Sequence, residues 1–218
     1  MQQSETVAHE SRRGLHAPKW IVVVGANTGG PQALAEILPR LPVYVHTSII
    51  VLQKMRPGFS RVLAEQLAHV CSMPVCEAED GQALQPSRIL IAPGSSRIIF
   101  QEVGTDAAPA YTLLVDNSDP DENKQLRVDI SMKSAAQVFG RNTIAILLSG
   151  LGTDGVEGMQ AVASAGGLTL AQDEASSIVH DLPGSAIRQQ AASDVLPLWN
   201  IADRMTEIVG GSANAVAA

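Results

Sequence analysis

Short apolar runs alternate with amphipathic stretches along most of the chain. The runs are WIVVVGA, TSIIVLQ, PVCEAE, RILIAPG, TIAILLSG, GLTLAQ and DVLPL. Strands that are apolar throughout are buried on both faces, and their alternation with helices is typical of βαβ units. Helical periodicity is present near residues 31–38, 59–70, 129–139, 155–165, 184–191 and 200–209. We therefore predict an α/β fold with a doubly wound, mainly parallel sheet and helices on both faces.

One segment departs from this alternation. RIIFQEV and YTLLVD flank the Gly- and Pro-containing stretch GTDAAPA, which predicts an antiparallel hairpin inserted into the parallel pattern. The length of 218 residues and 45% hydrophobic content suit one core. We expect one domain over residues 19–209, between a flexible lead-in (1–18) and a flexible tail (210–218).

Charge and composition exclude several classes of protein. The net charge of -7 and the scattered basic residues argue against binding to duplex nucleic acid or to an anionic membrane. No apolar run approaches the length of a membrane span, and the first twenty residues lack the apolar segment of a secretory signal. Cys71 and Cys76 have no partner pattern for zinc or a disulfide framework. We expect a cytoplasmic protein with no metal and no cofactor.

A sharp glycine-rich turn follows the first strand, in IVVVGANTGGPQAL. Its layout matches the G-x-S-x-G nucleophile elbow, in which a strained strand-to-helix turn presents a serine hydroxyl at the sheet edge. Here the central residue is Asn27. Ligands of open α/β sheets bind at the carboxyl ends of strands, so this turn is a candidate site.

A second turn, SGLGTDGVEGM, follows the strand TIAILLS. Residues Gly150 to Gly155 match G-x-G-x-x-G, the dinucleotide-binding pattern. Asp154, however, would place a carboxylate where the pyrophosphate should lie, so nucleotide binding is only a remote alternative. Asp154 could instead orient a base that serves the first turn, or cap a helix, and spacing alone leaves both roles open.

Several motifs, in order, resemble the catalytic domain of the chemotaxis protein-glutamate methylesterase CheB. They are GANTGGPQAL, LQKMRPGFSRVLAEQL, CEAEDGQALQPSRILIAPG, ILLSGLGTDGVEGMQAVASAGGLTLAQDEASSIV and LPGSAI, and the resemblance covers about residues 20–208. It implies an α/β sandwich that hydrolyses methyl esters on glutamates of chemoreceptor helices with a Ser-His-Asp triad. Full-length members usually add an N-terminal receiver domain, and we expect no receiver domain in this chain.

Carried over position by position, the resemblance places the triad serine at Asn27, the histidine at Lys54 and the aspartate at Asp154, so only the aspartate is kept. Other departures are Arg97 in place of a histidine and Leu151 in place of a methionine. The family's Arg-Pro-Ser-Val-Asp stretch is replaced by residues 125–129, with Arg127 in the third position. The resemblance also implies cleft or substrate-binding positions at Thr28, Gly29, Arg97, Leu151, Gly152 and His180.

The replaced residues decide the chemistry that we expect. The Asn27 carboxamide can orient a ligand but is a poor nucleophile, and a charged Lys54 ammonium is no base. We predict an ion pair between Lys54 and Asp154 in place of the family's His-Asp hydrogen bond. The leading hypothesis is a catalytically impaired CheB-like domain that binds chemoreceptor cytoplasmic helices or other chemotaxis signalling proteins. An active methylesterase or deamidase that uses substitute residues, such as Thr28 or His180, is the alternative.

Overall fold

The structure is a computed structural model that describes residues 17–56, 58–94, 96–105, 108–116 and 127–214. The strands are β1 (Trp20–Ala26), β2 (Thr47–Gln53), β3 (Val75–Glu77), β4 (Arg88–Ile91), β5 (Arg97–Glu102), β6 (Tyr111–Asp116), β7 (Thr143–Leu147), β8 (Leu168–Gln172) and β9 (Asp194–Leu196). The α-helices are α1 (Gly30–Ile37), α2 (Phe59–Ala68), α3 (Arg127–Phe139), α4 (Val156–Ser164), α5 (Asp181–Arg188) and α6 (Leu198–Asn214). Short 3-10 turns follow α1 and α3, at Leu38–Arg40 and Gly140–Asn142.

Seven strands form one sheet in the order β3-β4-β2-β1-β7-β8-β9. Every neighbouring pair is parallel, as the continuous apolar runs predicted. The chain first builds outward from β1 through β2 and then returns to build the other half from β7. The order therefore reverses beside β1, and the turns after β1 and β7 meet where ligands of such sheets bind.

Both faces of the sheet are covered, which confirms the doubly wound arrangement. Side chains alternate along β1, so Val22 and Val24 join the core beneath α1, α2 and α6. Ile21 and Val23 point to the opposite core, beneath α3, α4 and α5. A strand buried on both faces needs apolar residues at every position, and this is why β1 lacks polar alternation.

The predicted hairpin is also confirmed, although β5 and β6 form a separate two-stranded sheet. It packs on α3, where Ser131 and Ser134 accept the backbone N–H groups of Ile98 and Phe100 at 2.8 and 2.9 Å. These serines satisfy backbone donors on the buried edge of β5. The hairpin thereby covers α3, whose first turn borders the candidate site.

The ends of the helices differ in detail from the prediction. Helix α5 begins at Asp181 rather than near residue 184, because proline is tolerated in a first helical turn and Pro183 does not delay the start. Helix α6 continues to Asn214, past the domain boundary placed at residue 209. Most of the expected lead-in, and residues 215–218 of the expected tail, lie outside the described residues. Within those that are described, no helix combines the length and hydropathy needed to cross a bilayer.

Candidate functional site

A cavity of about 210 Å³ lies at the carboxyl edge of the sheet, where the turns after β1, β2, β4 and β7 meet the first turns of α3 and α5. The lining residues are Ala26, Asn27, Leu52, Gln53, Lys54, Ala92, Pro93, Gly94, Ser96, Arg127, Val128, Leu151, Gly152, Thr153, Asp154 and Leu182. The structure thus brings together Asn27, Lys54 and Asp154, which lie far apart in sequence. This is the edge where the strand order reverses.

Asn27 lies directly after β1 and is held by the turn that follows β7. Its backbone N–H donates to the Ser149 carbonyl at 3.1 Å, and its side-chain Nδ2 donates to the Leu151 carbonyl at 3.0 Å. A Cβ at Gly150 would lie 2.7 Å from the Asn27 Cβ, so glycine is required for the two turns to approach this closely. The Asn27 carboxamide is therefore fixed as part of the cavity wall.

The turn continues into α1 through Gly29, which has a φ of 82°. Only glycine adopts this left-handed conformation readily. A Cβ there would also lie 2.6 Å from the Ser149 hydroxyl, so the substitution is unfavourable for both reasons. Gly29 shapes the turn and does not itself line the cavity among the described residues.

Lys54 follows β2 and continues its pairing with β1, because its N–H donates to the Ala26 carbonyl at 3.1 Å. The residue is exposed at the cavity. The predicted ion pair with Asp154 is wrong: across the described part of the chain, no carboxylate lies within 4.0 Å of the Lys54 ammonium. The reason is that the Asp154 carboxylate has other partners.

Asp154 accepts three backbone N–H groups at the start of α3. Oδ2 accepts from Arg127 at 3.0 Å and from Val128 at 3.2 Å, and Oδ1 accepts from Asp129 at 2.9 Å. A helix N-terminus has unpaired N–H groups and a partial positive charge, so a carboxylate is stabilised there. Asp154 therefore caps a helix, although the capped helix is α3 and not the helix that follows it in sequence.

Burial nevertheless raises the pKa of the Asp154 carboxyl above its ordinary value, an effect that the three N–H donors oppose and the nearby Asp129 carboxylate reinforces. The pKa of Asp129 is raised as well, again mainly by burial. Asp129 is itself the cap of α4, since its Oδ1 accepts the Gly158 N–H at 2.6 Å. Asp154 thus stabilises the start of α3, and Asp129 stabilises the start of α4.

Among the described residues, several of the amide groups that the G-x-G-x-x-G pattern would offer to a pyrophosphate already have acceptors. The Gly152 N–H donates to Asp181 Oδ2 at 2.8 Å, and Asp129 receives the N–H groups at the start of α4. The cavity is also smaller than the roughly 300 Å³ at which pockets for larger ligands begin. Both observations weigh against the nucleotide alternative.

Four of the predicted cleft positions do not line the cavity among the described residues: Thr28, Gly29, Arg97 and His180. Thr28 is exposed and points its carbonyl to the Ser149 hydroxyl at 2.8 Å. Arg97 lies in β5, where its Nε donates to Asp116 Oδ2 at 2.7 Å across the hairpin. His180 precedes α5, and its Nδ1 is buried without a hydrogen-bond partner among the described residues. Leu151 and Gly152 do line the cavity.

The structure describes only some of the positions that replace the family's Arg-Pro-Ser-Val-Asp stretch. Gln125 and Leu126 lie outside the described residues. Arg127 lines the cavity, and its Nη1 donates to the Gly94 carbonyl at 2.9 Å. This bond ties α3 to the turn after β4.

Two buried glutamines that the sequence reasoning overlooked support the turns. Gln53, at the end of β2, donates from Nε2 to the carbonyls of Asn27 and Lys54 at 2.8 and 3.1 Å. Gln172, at the end of β8, accepts the Ser149 N–H at 2.8 Å. The sequence could have identified both residues, because a glutamine at the end of an otherwise apolar strand needs buried polar partners.

Ser149 joins three segments of the site. Its hydroxyl donates to the carbonyl of Thr28 at 2.8 Å and accepts the N–H of Val179 at 2.9 Å. The side chain is almost completely buried. It therefore holds the turn after β1, the turn after β7 and the loop before α5 in one arrangement.

The cavity offers donors and one half-buried carboxylate in place of a triad. Ser96 and Thr153 supply the hydroxyl groups of the described lining, where no histidine is present to take a proton from either. Ser96 is almost fully buried, whereas Thr153 is exposed. Acyl transfer by a Ser-His-Asp triad needs a nucleophile with an adjacent histidine base, and the described lining holds no histidine.

Known proteins with this sequence pattern and fold carry a common description. The family profile described as CheB methylesterase matches residues 22–205. A Pseudomonas aeruginosa protein named protein-glutamate methylesterase/protein-glutamine glutaminase 2 is 39% identical over 193 residues, which is 88% of this chain and 54% of that protein. A Carboxydothermus hydrogenoformans protein named protein-glutamate methylesterase/protein-glutamine glutaminase 1 is 40% identical over 189 residues, covering 85% and 54% of the two chains.

The fold matches as well. The crystal structure of the Thermotoga maritima CheB methylesterase catalytic domain aligns with a TM-score of 0.80 and 35% identity, covering 87% of this chain and 98% of that one. The chain spans about half the length of the curated relatives that it matches. By sequence profile and by fold, the chain belongs to the CheB methylesterase family.

Proposed function

We propose that this chain is a CheB-type domain that binds helices of chemotaxis signalling proteins, chemoreceptors above all, without hydrolysing their glutamyl methyl esters. The observation that carries the proposal is the chemistry of the two side chains at the carboxyl ends of β1 and β2. Asn27 and Lys54 stand where the resemblance to the family implies a serine and a histidine. A cavity is present at the carboxyl edge of the sheet, and the side chains at these two positions differ from those that the resemblance implies.

Asn27 is unsuited to nucleophilic attack in this setting. A carboxamide nitrogen has a delocalised lone pair, and here Nδ2 also donates to the Leu151 carbonyl. Formation of an acyl-enzyme would need both an attacking atom and a group to take its proton. Asn27 is placed to orient a bound group by hydrogen bonding.

Lys54 and Asp154 also support binding in preference to catalysis. The Lys54 ammonium makes no ion pair with Asp154, whose oxygens accept the N–H groups of α3. In a triad, the aspartate holds the base in the correct orientation. The capping role of Asp154 gives a structural reason for this aspartate to be kept in a chain that does not hydrolyse esters.

The test is turnover of methylated chemoreceptor by the purified chain and by the double variant Asn27→Ser with Lys54→His. We expect no methanol release from the natural chain and measurable release from the double variant. The single variants Asn27→Ser and Lys54→His are the matched controls. They should stay inactive, because members of a catalytic triad act as a unit.

Co-sedimentation of the same chains with receptor-containing membranes tests the binding half of the proposal. The natural chain should bind while leaving the methyl esters intact. Ester hydrolysis by the natural chain, lost in Asp154→Ala, would instead establish an active enzyme that uses substitute residues. Absence of both binding and turnover would remove the proposal.

A further inference from the structure

The charges that line the cavity are unequal. Lys54 and Arg127 are the cationic lining residues, and Asp154 is the single acidic residue of the described lining. Both Asp154 oxygens accept N–H groups from the positive end of α3. Those N–H groups offset part of the field of the carboxylate, and the Lys54 ammonium has no carboxylate partner in the described parts of the chain.

The same wall carries hydrogen-bond donors that the protein leaves unused. Across the described residues, no acceptor is found for the backbone N–H of Leu151 or of Thr153. Both residues line the cavity. Leu151 is held in place through its carbonyl, which accepts the Asn27 Nδ2. Backbone N–H groups that lack a protein acceptor and lie in a wall with two cationic side chains suit an anionic acceptor.

The size of the cavity limits the kind of ligand that can carry this anionic acceptor. A volume of about 210 Å³ lies below the range of roughly 300–1,000 Å³ that is usual for small-molecule pockets. It is too small for a nucleotide or for a packed helix. The ligand should therefore be a short group projecting from a larger partner.

We infer that this cavity is a carboxylate site, which takes the free carboxylate of a glutamate side chain in preference to its methyl ester or its amide. The inference rests on the proposed function, and it reverses the selectivity expected of an ester hydrolase. A carboxylate pairs with the Lys54 ammonium and accepts hydrogen bonds with both oxygens. The ester and the amide carry no charge to pair. The amide replaces the second oxygen with an NH2 group that donates instead of accepting, and the ester adds a methyl group to that oxygen.

The test uses three capped amino acids as probes: the N-acetyl N-methylamides of glutamate, glutamine and glutamate γ-methyl ester. Binding is followed by the NMR signals of the Asn27 side-chain amide in the full chain. We expect the glutamate probe to bind about two- to fivefold more tightly than the other two at low salt. The preference should shrink as salt is added, because exposed charges are screened.

Lys54→Met should remove the preference while leaving the fold unchanged, since the residue is exposed. Lys19→Met is the matched control, because Lys19 is also an exposed lysine but lies just before β1, at the opposite edge of the sheet. The Lys19→Met variant should prefer the glutamate probe to the same extent as the natural chain. Equal binding of the three probes, tighter binding of the ester or the amide, or no binding would each overturn the inference.

These outcomes separate the inference from the proposed function. A chain that leaves methylated receptor intact but binds the three probes equally would refute the carboxylate site alone. A chain that hydrolyses methylated receptor yet prefers the glutamate probe would refute the proposed function alone. A chain that is inert toward receptor and selects the carboxylate supports both.

Discussion

The Asp154 carboxylate caps the helix that carries Asp129, and the Asp129 carboxylate caps the helix that follows Asp154. Asp154 Oδ1 accepts the Asp129 N–H at 2.9 Å, and Asp129 Oδ1 accepts the Gly158 N–H at 2.6 Å. Each carboxylate satisfies donors that a helix start leaves unpaired. The pair joins α3 to α4 at the edge of the cavity, so the loss of either one should disturb both helices.

Replacement of Asp154 should therefore cost stability even in a chain without enzymatic activity. Asp154→Ala leaves three N–H groups of α3 without their acceptor, and we expect the free energy of unfolding to fall by about 2–4 kcal/mol. Asp154→Asn keeps one acceptor oxygen, so its free energy of unfolding should fall by about half as much as that of Asp154→Ala. Urea titration at neutral pH measures both changes.

The matched control for that experiment is Asp203→Ala, an exposed aspartate on α6. Its effect should stay within about 0.5 kcal/mol. If Asp154→Ala were as mild as Asp203→Ala, the carboxylate would not be an essential cap.

The same pair predicts an unusual pH dependence. Burial raises the pKa of both carboxyls in the folded state, so their contribution to stability is present below the unfolded pKa and is lost as pH rises through the folded pKa. As the pH falls from about 7 toward the ordinary carboxyl pKa of about 4, these two groups should add stability to the natural chain. Asp154→Asn should gain less over the same interval.

Urea titrations of the natural chain and Asp154→Asn at both pH values measure that difference, and groups common to both chains cancel. Glu157, for example, pairs with Lys133 in both, and this ion pair lowers the pKa of Glu157. A natural chain that loses more stability than Asp154→Asn on acidification would contradict the predicted sign.

The close approach of Gly150 to Asn27 predicts a coupled pair of substitutions. A Cβ added at Gly150 would lie 2.7 Å from the Asn27 Cβ, so Gly150→Ala should cost about 1–3 kcal/mol. In an Asn27→Gly background the Asn27 Cβ is absent, and the added cost of Gly150→Ala should be smaller. A double-mutant cycle from urea titrations measures the coupling, and strict additivity would refute the contact.

Gln53 should be essential to the geometry of the site although it was not identified from the sequence. Gln53→Leu removes the donors to the Asn27 and Lys54 carbonyls and should cost about 1–3 kcal/mol. Gln53→Glu should cost more at neutral pH, because a buried carboxylate would face two carbonyl oxygens. Thermal unfolding measures both.

Gln66→Leu serves as the control for these variants, since Gln66 is exposed on α2. A Gln53→Glu variant as stable as the natural chain would mean that Gln53 does not bridge the two turns.

Most of the fold was predictable because burial on both faces leaves a direct mark on each strand. The uninterrupted apolar runs of β1, β2 and β7 predicted a parallel sheet, and the sheet is parallel throughout. The boundaries of α5 and α6 were less predictable, because a proline in the first turn and a glycine pair near the end are compatible with several helix lengths.

The site was predictable in part. Motif order placed Asn27, Lys54 and Asp154 at one edge, and the structure brings all three to one cavity. Arg97 was assigned to the cleft from motif order, yet its guanidinium pairs with Asp116 within the hairpin. Position along a strand sets which edge a residue approaches, whereas the available partners decide where a long side chain lies.

The sequence by itself determined the sheet, the two glycine turns and the identity of the groups after β1 and β2, because these depend on local periodicity and residue type. Only the tertiary structure decided the partners of Asp154. Its carboxylate was expected to meet Lys54, but three preoriented N–H groups of α3 lie closer. Fixed backbone donors at a helix start hold a carboxylate without ordering a flexible lysine chain, so Asp154 caps α3 and Lys54 has no carboxylate partner among the described residues.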